Sequence, residues 1–239
     1  MTLDLYPAID IFDGKVVRLA QGDYDAETVY GNKPSEVAKK FVDEGARWIH
    51  IVDLNAARGE GPVNRPVLLN LVRTLDGRAQ VQTGGGVRTV ADAAALADGG
   101  ISRVVMGSAA IRQPGLVSEV AAVLDVAVGL DHNGGVVATD GWTSSSELTV
   151  DRALDLFPAA SAFVVTDINR DGMLSGPDIE GLRRCTERTS TPVIASGGIS
   201  SLADIRALRD IPGLAGVITG KALYEHRFTV AQAIAEVNL

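Results

Sequence analysis

Residues 81–98 (VQTGGGVRTVADAAALAD) and 193–210 (VIASGGISSLADIRALRD) are close copies, with eight identities in eighteen aligned positions. Each starts as a short apolar run, passes through a Gly-Gly pair and enters a helical pattern. The copying extends outward. VVMGSA (104–109) pairs with VITGKA (217–222), IHIVDLNAARGEGP (49–62) echoes VVTDINRDGMLSGP (164–177), and AIDIFDG echoes GLDHNGG. A repeat on this scale defines the folding unit before any single motif does. The unit here is four strand–helix modules, so the chain is two similar halves.

The strand candidates are LYPAID, RWIHIVDL, AQVQT, RVVMG, VAVGLD, AFVVTD, PVIAS and GVITG. Several are apolar at nearly every position, as strands covered on both faces require. Helical patterns separate them. PSEVAKKFVDEGA (34–46) carries proline near its start and glycine near its end, and SLADIRALRDI (201–211) opens on Ser200 or Ser201 as an N-cap. Eight such units favour a (β/α)8 barrel over a doubly wound open sheet, its main rival. No linker or charge run divides the chain, and residues 1–239 are expected to form one domain.

Charge and cysteine content narrow the function. A net charge of −8 argues against nucleic acid as a partner, which selects basic surfaces. It leaves an anionic small molecule open, because backbone N–H groups at helix starts bind phosphate whatever the net charge. Cys185 is the one cysteine, which rules out an intrachain disulfide and fits a reducing cytoplasm; it is expected to pack as a small hydrophobe. The apolar runs are too short to span a bilayer, and MTLDLYPAID does not read as a signal peptide, so no membrane partner is expected.

In a barrel of this type the functional face lies at the C-terminal strand ends. Strand ends here carry Asp10, Asp53, Asp131 and Thr166–Asp167. Asp10 and Asp131 occupy equivalent places in the two halves. Two carboxylates across one pocket suit acid and base roles, because environment can push their proton affinities apart; helix caps or ion-pair partners are the structural alternative. Glycine turns follow the other strands: Gly84–Gly85–Gly86 with Arg88, Gly107–Ser108, Ser196–Gly197–Gly198, and Gly220–Lys221. Loops after strands 7 and 8 form the usual phosphate site of such barrels, and those after strands 3 and 4 are its half-turn mirror. The expected substrate therefore carries a phosphate at each end. His50 reads as a barrel-interior side chain, His132 as a candidate substrate contact, and His226 as a solvated turn residue. No metal-ligand spacing, P-loop or dinucleotide fingerprint is present, so no metal or cofactor is expected.

PAIDIFDGKVVRLAQGD (7–23), VDLNAA, GGGVR, GLD, TDINRDG and ASGGIS together resemble the phosphoribosylformimino-5-aminoimidazole carboxamide ribotide isomerases of histidine biosynthesis, from about Leu3 to Leu239. The resemblance implies an Amadori rearrangement of an aminoaldose to an aminoketose on a bis-phosphorylated substrate, by a cofactor-free monomer. It implies Asp10 as proton acceptor and Asp131 as proton donor, with Thr166 and Asp171 near the reacting ribose and Asp171 as the rival donor. Arg18 would cover a substrate end, and Trp142 would stack on a base or simply pack its loop. Relatives often carry Asp-Gly-Thr where this chain has Asp171–Gly172–Met173. The cyclase of the following step usually opens with Cys-Leu-Asp-Val, unlike AIDI here. A dual-substrate actinobacterial subgroup, also active on phosphoribosylanthranilate, is similar around DGWT (140–143). It usually has arginine where this chain has Asp140 and serine where it has Gly84. An aspartate there would repel the anthranilate carboxylate, which favours histidine-pathway activity alone or with a weak residue of tryptophan-pathway activity. A non-catalytic phosphosugar-binding barrel is the rival from another class.

Overall fold

Runs that are apolar on both faces need cover on both faces. The computed structural model, which describes residues 3–20 and 22–238, provides it by closing the sheet on itself. In chain order the strands are β1 (Asp4–Phe12), β2 (Lys15–Ala20), β3 (Asp23–Gly31), β4 (Trp48–Asp53), β5 (Gln80–Gly84), β6 (Arg103–Met106), β7 (Asp125–Asn133), β8 (Val136–Thr139), β9 (Ser144–Thr149), β10 (Ala162–Asp167), β11 (Val193–Ser196) and β12 (Leu214–Thr219). The parallel strands run β1–β4–β5–β6–β7–β10–β11–β12, and β12 returns to β1 with Tyr6 opposite Ile218. This is the (β/α)8 barrel that the eight repeated units demand.

The helices are α1 (Pro34–Asp43), α2 (Leu54–Arg58), α3 (Arg65–Leu75), α4 (Val90–Asp98), α5 (Ser108–Arg112), α6 (Gly115–Ala121), α7 (Val150–Ala153), α8 (Ile179–Arg188), α9 (Leu202–Arg209), α10 (Lys221–Tyr224) and α11 (Val230–Val237). Strand alternation divides the core in two. Tyr6, Ala8, Ala127, Ala162, Val164, Ile194 and Ile218 fill the barrel lumen, with Trp48 and Val105 against them. Ile9, Ile49, Val104, Val128, Phe163 and Val217 point outward under the helices, where Cys185 is also buried. Burial pushes the Cys185 thiol up to about 11, which leaves it inert.

The repeat is visible in the backbone. Gly85 and Gly86 take φ of +95° and +74°, and Gly197 and Gly198 take +89° and +81°. A Cβ on Gly85 would stand 2.2 Å from the Asp53 carbonyl oxygen, and one on Gly198 would stand 2.3 Å from that of Gly176. Each pair therefore answers both a left-handed turn and a backbone pressed against the loop of the preceding strand. The helices that follow start alike: Thr89 caps α4 by accepting from the Asp92 N–H, and Ser201 caps α9 in a reciprocal box with Asp204.

Four strands were not among the expected eight. β2 and β3 continue β1 as an antiparallel hairpin, and β8 and β9 continue β7 in the same way. The turns carried the signal: Asp13–Gly14 and Gly134–Gly135 all have positive φ, as a tight two-residue hairpin turn requires. Each half-barrel thus begins with an arm that rises over the mouth.

Candidate active site

The C-terminal strand ends open into a cavity of about 470 Å³, contiguous with a smaller cleft between the ends of β11 and β12. Every residue expected from the sequence to do catalysis or to hold phosphate lines one or both. Asp10, Asp131, Thr166, Gly84, Gly85, Gly86, Arg88, Gly107, Ser108 and Trp142 border the larger space, and Gly197, Gly198, Gly220 and Lys221 the smaller one. Arg18, Asp171 and Ser196 belong to both.

Three carboxylates meet here. Asp10, 13% exposed, accepts a 2.9 Å hydrogen bond from Arg18 Nη1. Burial drives its carboxyl up to about 6; the Arg18 charge opposes this and Asp171 adds to it. Asp131, at the equivalent place on β7, accepts from Trp142 Nε1 at 2.8 Å. Burial raises it as well, against donors on Trp142 and Thr166. Asp171 stands on the loop after β10. Burial and the nearby Asp131 raise it, while Arg18, the Gly172 N–H and Lys221 pull it down. By contrast Asp53 is structural: it caps α2 through the Ala56 N–H at 3.0 Å and accepts from Asn64 at 2.8 Å.

Arg18 reaches from β2 over the turn after β12, where a Cβ on Gly220 would fall 2.5 Å from its Cζ. Its Nε is buried without a hydrogen-bond partner among the described residues. It faces the smaller cleft with donors to spare. Lys221 Nζ binds the Gly172 carbonyl at 2.8 Å, tying the Asp171 loop to α10. Across the mouth, Arg88 Nη2 binds the Ala56 carbonyl at 3.1 Å, so its guanidinium also braces α2, the short helix after β4.

The two arms meet over the cavity. Trp142, with φ of +74°, lays its ring where a Cβ on Gly22 would come within 2.8 Å of Cε3. Gln21, which precedes Gly22 in RLAQGD, lies outside the described residues. The β8–β9 arm is pinned at its turn: the Asp140 N–H donates to Ser108 Oγ at 2.8 Å, and Arg112 pairs with the Asp140 carboxylate. The expected repulsion by Asp140 is therefore offset by a cation that the sequence reading did not single out.

Two expectations need correction or completion. His132 is buried and outside both clefts; its Nδ1 accepts from the Gly135 N–H at 3.3 Å. The strand period of two turns it away from the cavity that Asp131 faces. Met173, at the position where relatives often carry threonine, is 51% exposed and borders neither cleft. His226 is exposed, and His50 lies in the lumen as expected, yet it also forms part of the cavity floor. Among the described residues no helix is long and apolar enough to cross a membrane.

Comparison with known proteins agrees with this geometry. A family model described as histidine biosynthesis protein matches residues 4–229. A relative from Shouchella clausii is 46% identical over the whole of both chains. One from Bacillus pumilus is 45% identical over 96% of each chain, and one from Rhodospirillum rubrum is 44% identical over 97% of this chain and 98% of its own. All three carry the name 1-(5-phosphoribosyl)-5-((5-phosphoribosylamino)methylideneamino)imidazole-4-carboxamide isomerase. With matches of this extent, the chain belongs to the histidine biosynthesis protein family.

Proposed function

We propose that this chain is the isomerase its relatives are named for, converting an aminoaldose with two phosphoribosyl groups into the corresponding aminoketose. The observation that carries the reading is the placement of Asp10 and Asp131 at matched strand ends, in one cavity flanked by two pairs of glycine turns. The turns after β5 and β6 would hold one phosphate, with Gly84, Gly85, Gly86, Arg88, Gly107 and Ser108. Those after β11 and β12 would hold the other, with Ser196, Gly197, Gly198, Gly220, Lys221 and Arg18. Trp142 would close over the substrate from the β8–β9 arm.

The chemistry follows from the carboxylates. Protonation of the ribose ring oxygen opens the ring as the exocyclic nitrogen forms a Schiff base to C1. A base then removes the C2 proton to give an enolamine. Return of a proton to C1 and loss of the hydroxyl proton leave the ketone at C2. A base works best with a proton affinity near the operating pH, and Asp10, at about 6, is ionised yet basic at neutrality. The acid must hold its proton, which burial favours at Asp131. Asp131 is assigned the donor role, Thr166 orients it, and Asp171 is the competing donor.

Asp10→Asn should lower turnover by about a thousandfold or more while inorganic phosphate still binds. Retained turnover would overturn the reading. Asp131→Asn and Asp171→Asn, assayed side by side, assign the acid to whichever loses more in kcat. The purified chain should act on the histidine-pathway substrate and not on phosphoribosylanthranilate. We further propose that residues 1–239 work as a single-domain monomer in the cytoplasm.

A further inference from the structure

Beneath the cavity floor the lumen holds a cation with no anion. Arg103, on β6, is 8% exposed and has no carboxylate partner among the described residues. Its guanidinium lies 4.6 Å from the Trp48 ring centre and donates from Nη2 to the Tyr6 hydroxyl at 3.0 Å. Its remaining contacts converge on one atom: Nε at 3.0 Å and Nη2 at 2.6 Å both donate to Gln82 Oε1. Elsewhere the same lumen is filled by Ala127, Ala162 and Ile194, so an apolar filling suits this space. A buried charge kept under those conditions calls for a reason beyond packing.

The two hydrogen bonds that Oε1 accepts from Arg103 fix which way the Gln82 amide faces. Its Nε2 must then point at His50, and it lies 2.9 Å from His50 Nδ1. An amide N–H only donates, so Nδ1 is the acceptor and the ring proton sits on Nε2. Among the described residues Nε2 has no protein partner, and His50 belongs to the floor one strand over from Asp10. Burial, with the Arg18 and Arg103 charges, also depresses the imidazole to about 3, so the ring stays neutral.

We infer that the Arg103–Gln82 pair acts as a positioning device that holds His50 as a neutral Nε2–H donor toward a hydroxyl oxygen of the opened ribose. The inference rests on the isomerase reading for the identity of that oxygen, whereas the tautomer stands apart from it. Arg103 and Gln82 touch no substrate; they act through the imidazole.

The test is 15N NMR of enzyme labelled at histidine, with the His50 signals identified by their loss in His50→Gln. In the wild type, Nδ1 should show the shift of an unprotonated ring nitrogen and remain unchanged from pH 5 to 8. Gln82→Glu keeps the pairing to Arg103 but offers His50 an acceptor, so the proton should move to Nδ1. Its kcat should fall about tenfold with KM changed less than about threefold, because the phosphate grips are untouched. Arg103→Met frees the amide to turn over, and both tautomers should then be seen. A wild-type His50 protonated on Nδ1, or titrating near 6.5, overturns the inference. So does a Gln82→Glu enzyme with a switched tautomer and unchanged kcat. Failure of the wild type to isomerise its substrate would strike the functional reading and leave the tautomer result standing.

Discussion

Asp10→Asn should make the protein more stable, and by an amount that depends on pH. In the folded chain the Asp10 carboxyl titrates at about 6, against 3.8 for an unperturbed side chain. Burial is the main cause, and the Arg18 bond only partly offsets it. Because the native state binds this proton more tightly than the unfolded state, ionisation works against folding. Below pH 3.8 both states are protonated and the term vanishes; it grows as pH rises and is complete above about 6. The difference corresponds to about 3 kcal/mol at pH 8, of which asparagine, an uncharged mimic of the protonated group, should recover most. Urea unfolding of both proteins at several pH values from 4 to 8 measures it. The variant should gain progressively over the wild type across this range, with a midpoint about 6 °C higher in thermal melts at pH 8. Subtracting the two curves removes the contribution of Asp131, which carries the same sign, and leaves the Asp10 term together with its coupling to Asp171. A stability difference that stays flat with pH, or a variant that is weaker at pH 8, would refute the account of Asp10 as a buried, destabilised carboxylate. Confirmation would identify a group retained at a cost to folding, as functional residues often are.

Further outcomes can be stated compactly. Gly198→Ala forces a side chain into a φ of +81° and onto the Gly176 carbonyl, and should cost about 3 kcal/mol or more in urea unfolding, with glycine alone restoring stability. Ser201→Ala removes the α9 cap and should cost about 1 kcal/mol, whereas Ser201→Gly should cost only a few tenths. Trp142→Phe keeps a ring against Gly22 but deletes the donor that holds down the Asp131 proton affinity. If Asp131 is the acid, the alkaline limb of the kcat profile should move to higher pH; a limb that stays fixed would transfer the role to Asp171.

The barrel was legible because its constraint is arithmetic: eight doubly covered strands, repeated as four and four, leave few closed arrangements. The caps at Ser201 and the placement of Asp10, Asp131 and the glycine turns follow from local chemistry and the strand-end rule. What could not be read were partners across space. Gln82, His50 and Arg103 come from three strands, and only the register that sets His50 beside Gln82, and Gln82 beside Arg103, brings them together. The Arg112–Asp140 pair likewise joins a short helix to an arm 28 residues later. His132 is a different matter. It follows Asp131 directly on an extended strand, and alternation alone puts the two on opposite faces. The arms were missed because a search for parallel strands overlooks an Asp-Gly or Gly-Gly turn that folds a strand back on itself.

A duplicated frame has a weakness when its ligand has similar ends. Two equivalent sets of glycine turns would accept a molecule with a phosphate at each end in either direction, and on the proposed reading only one direction would bring the reacting sugar to Asp10. The arms would resolve this ambiguity. They are the same device at the head of each half, yet one carries Arg18 over the Gly220 turn and the other carries Trp142 against Asp131. On the proposed reading, polarity would be imposed from above the mouth, by divergence of two matched hairpins, while the barrel beneath keeps its near two-fold plan. An exchange of chemistry between the arms, rather than any change in the strands, is the shortest route to a barrel that reads its substrate the other way round.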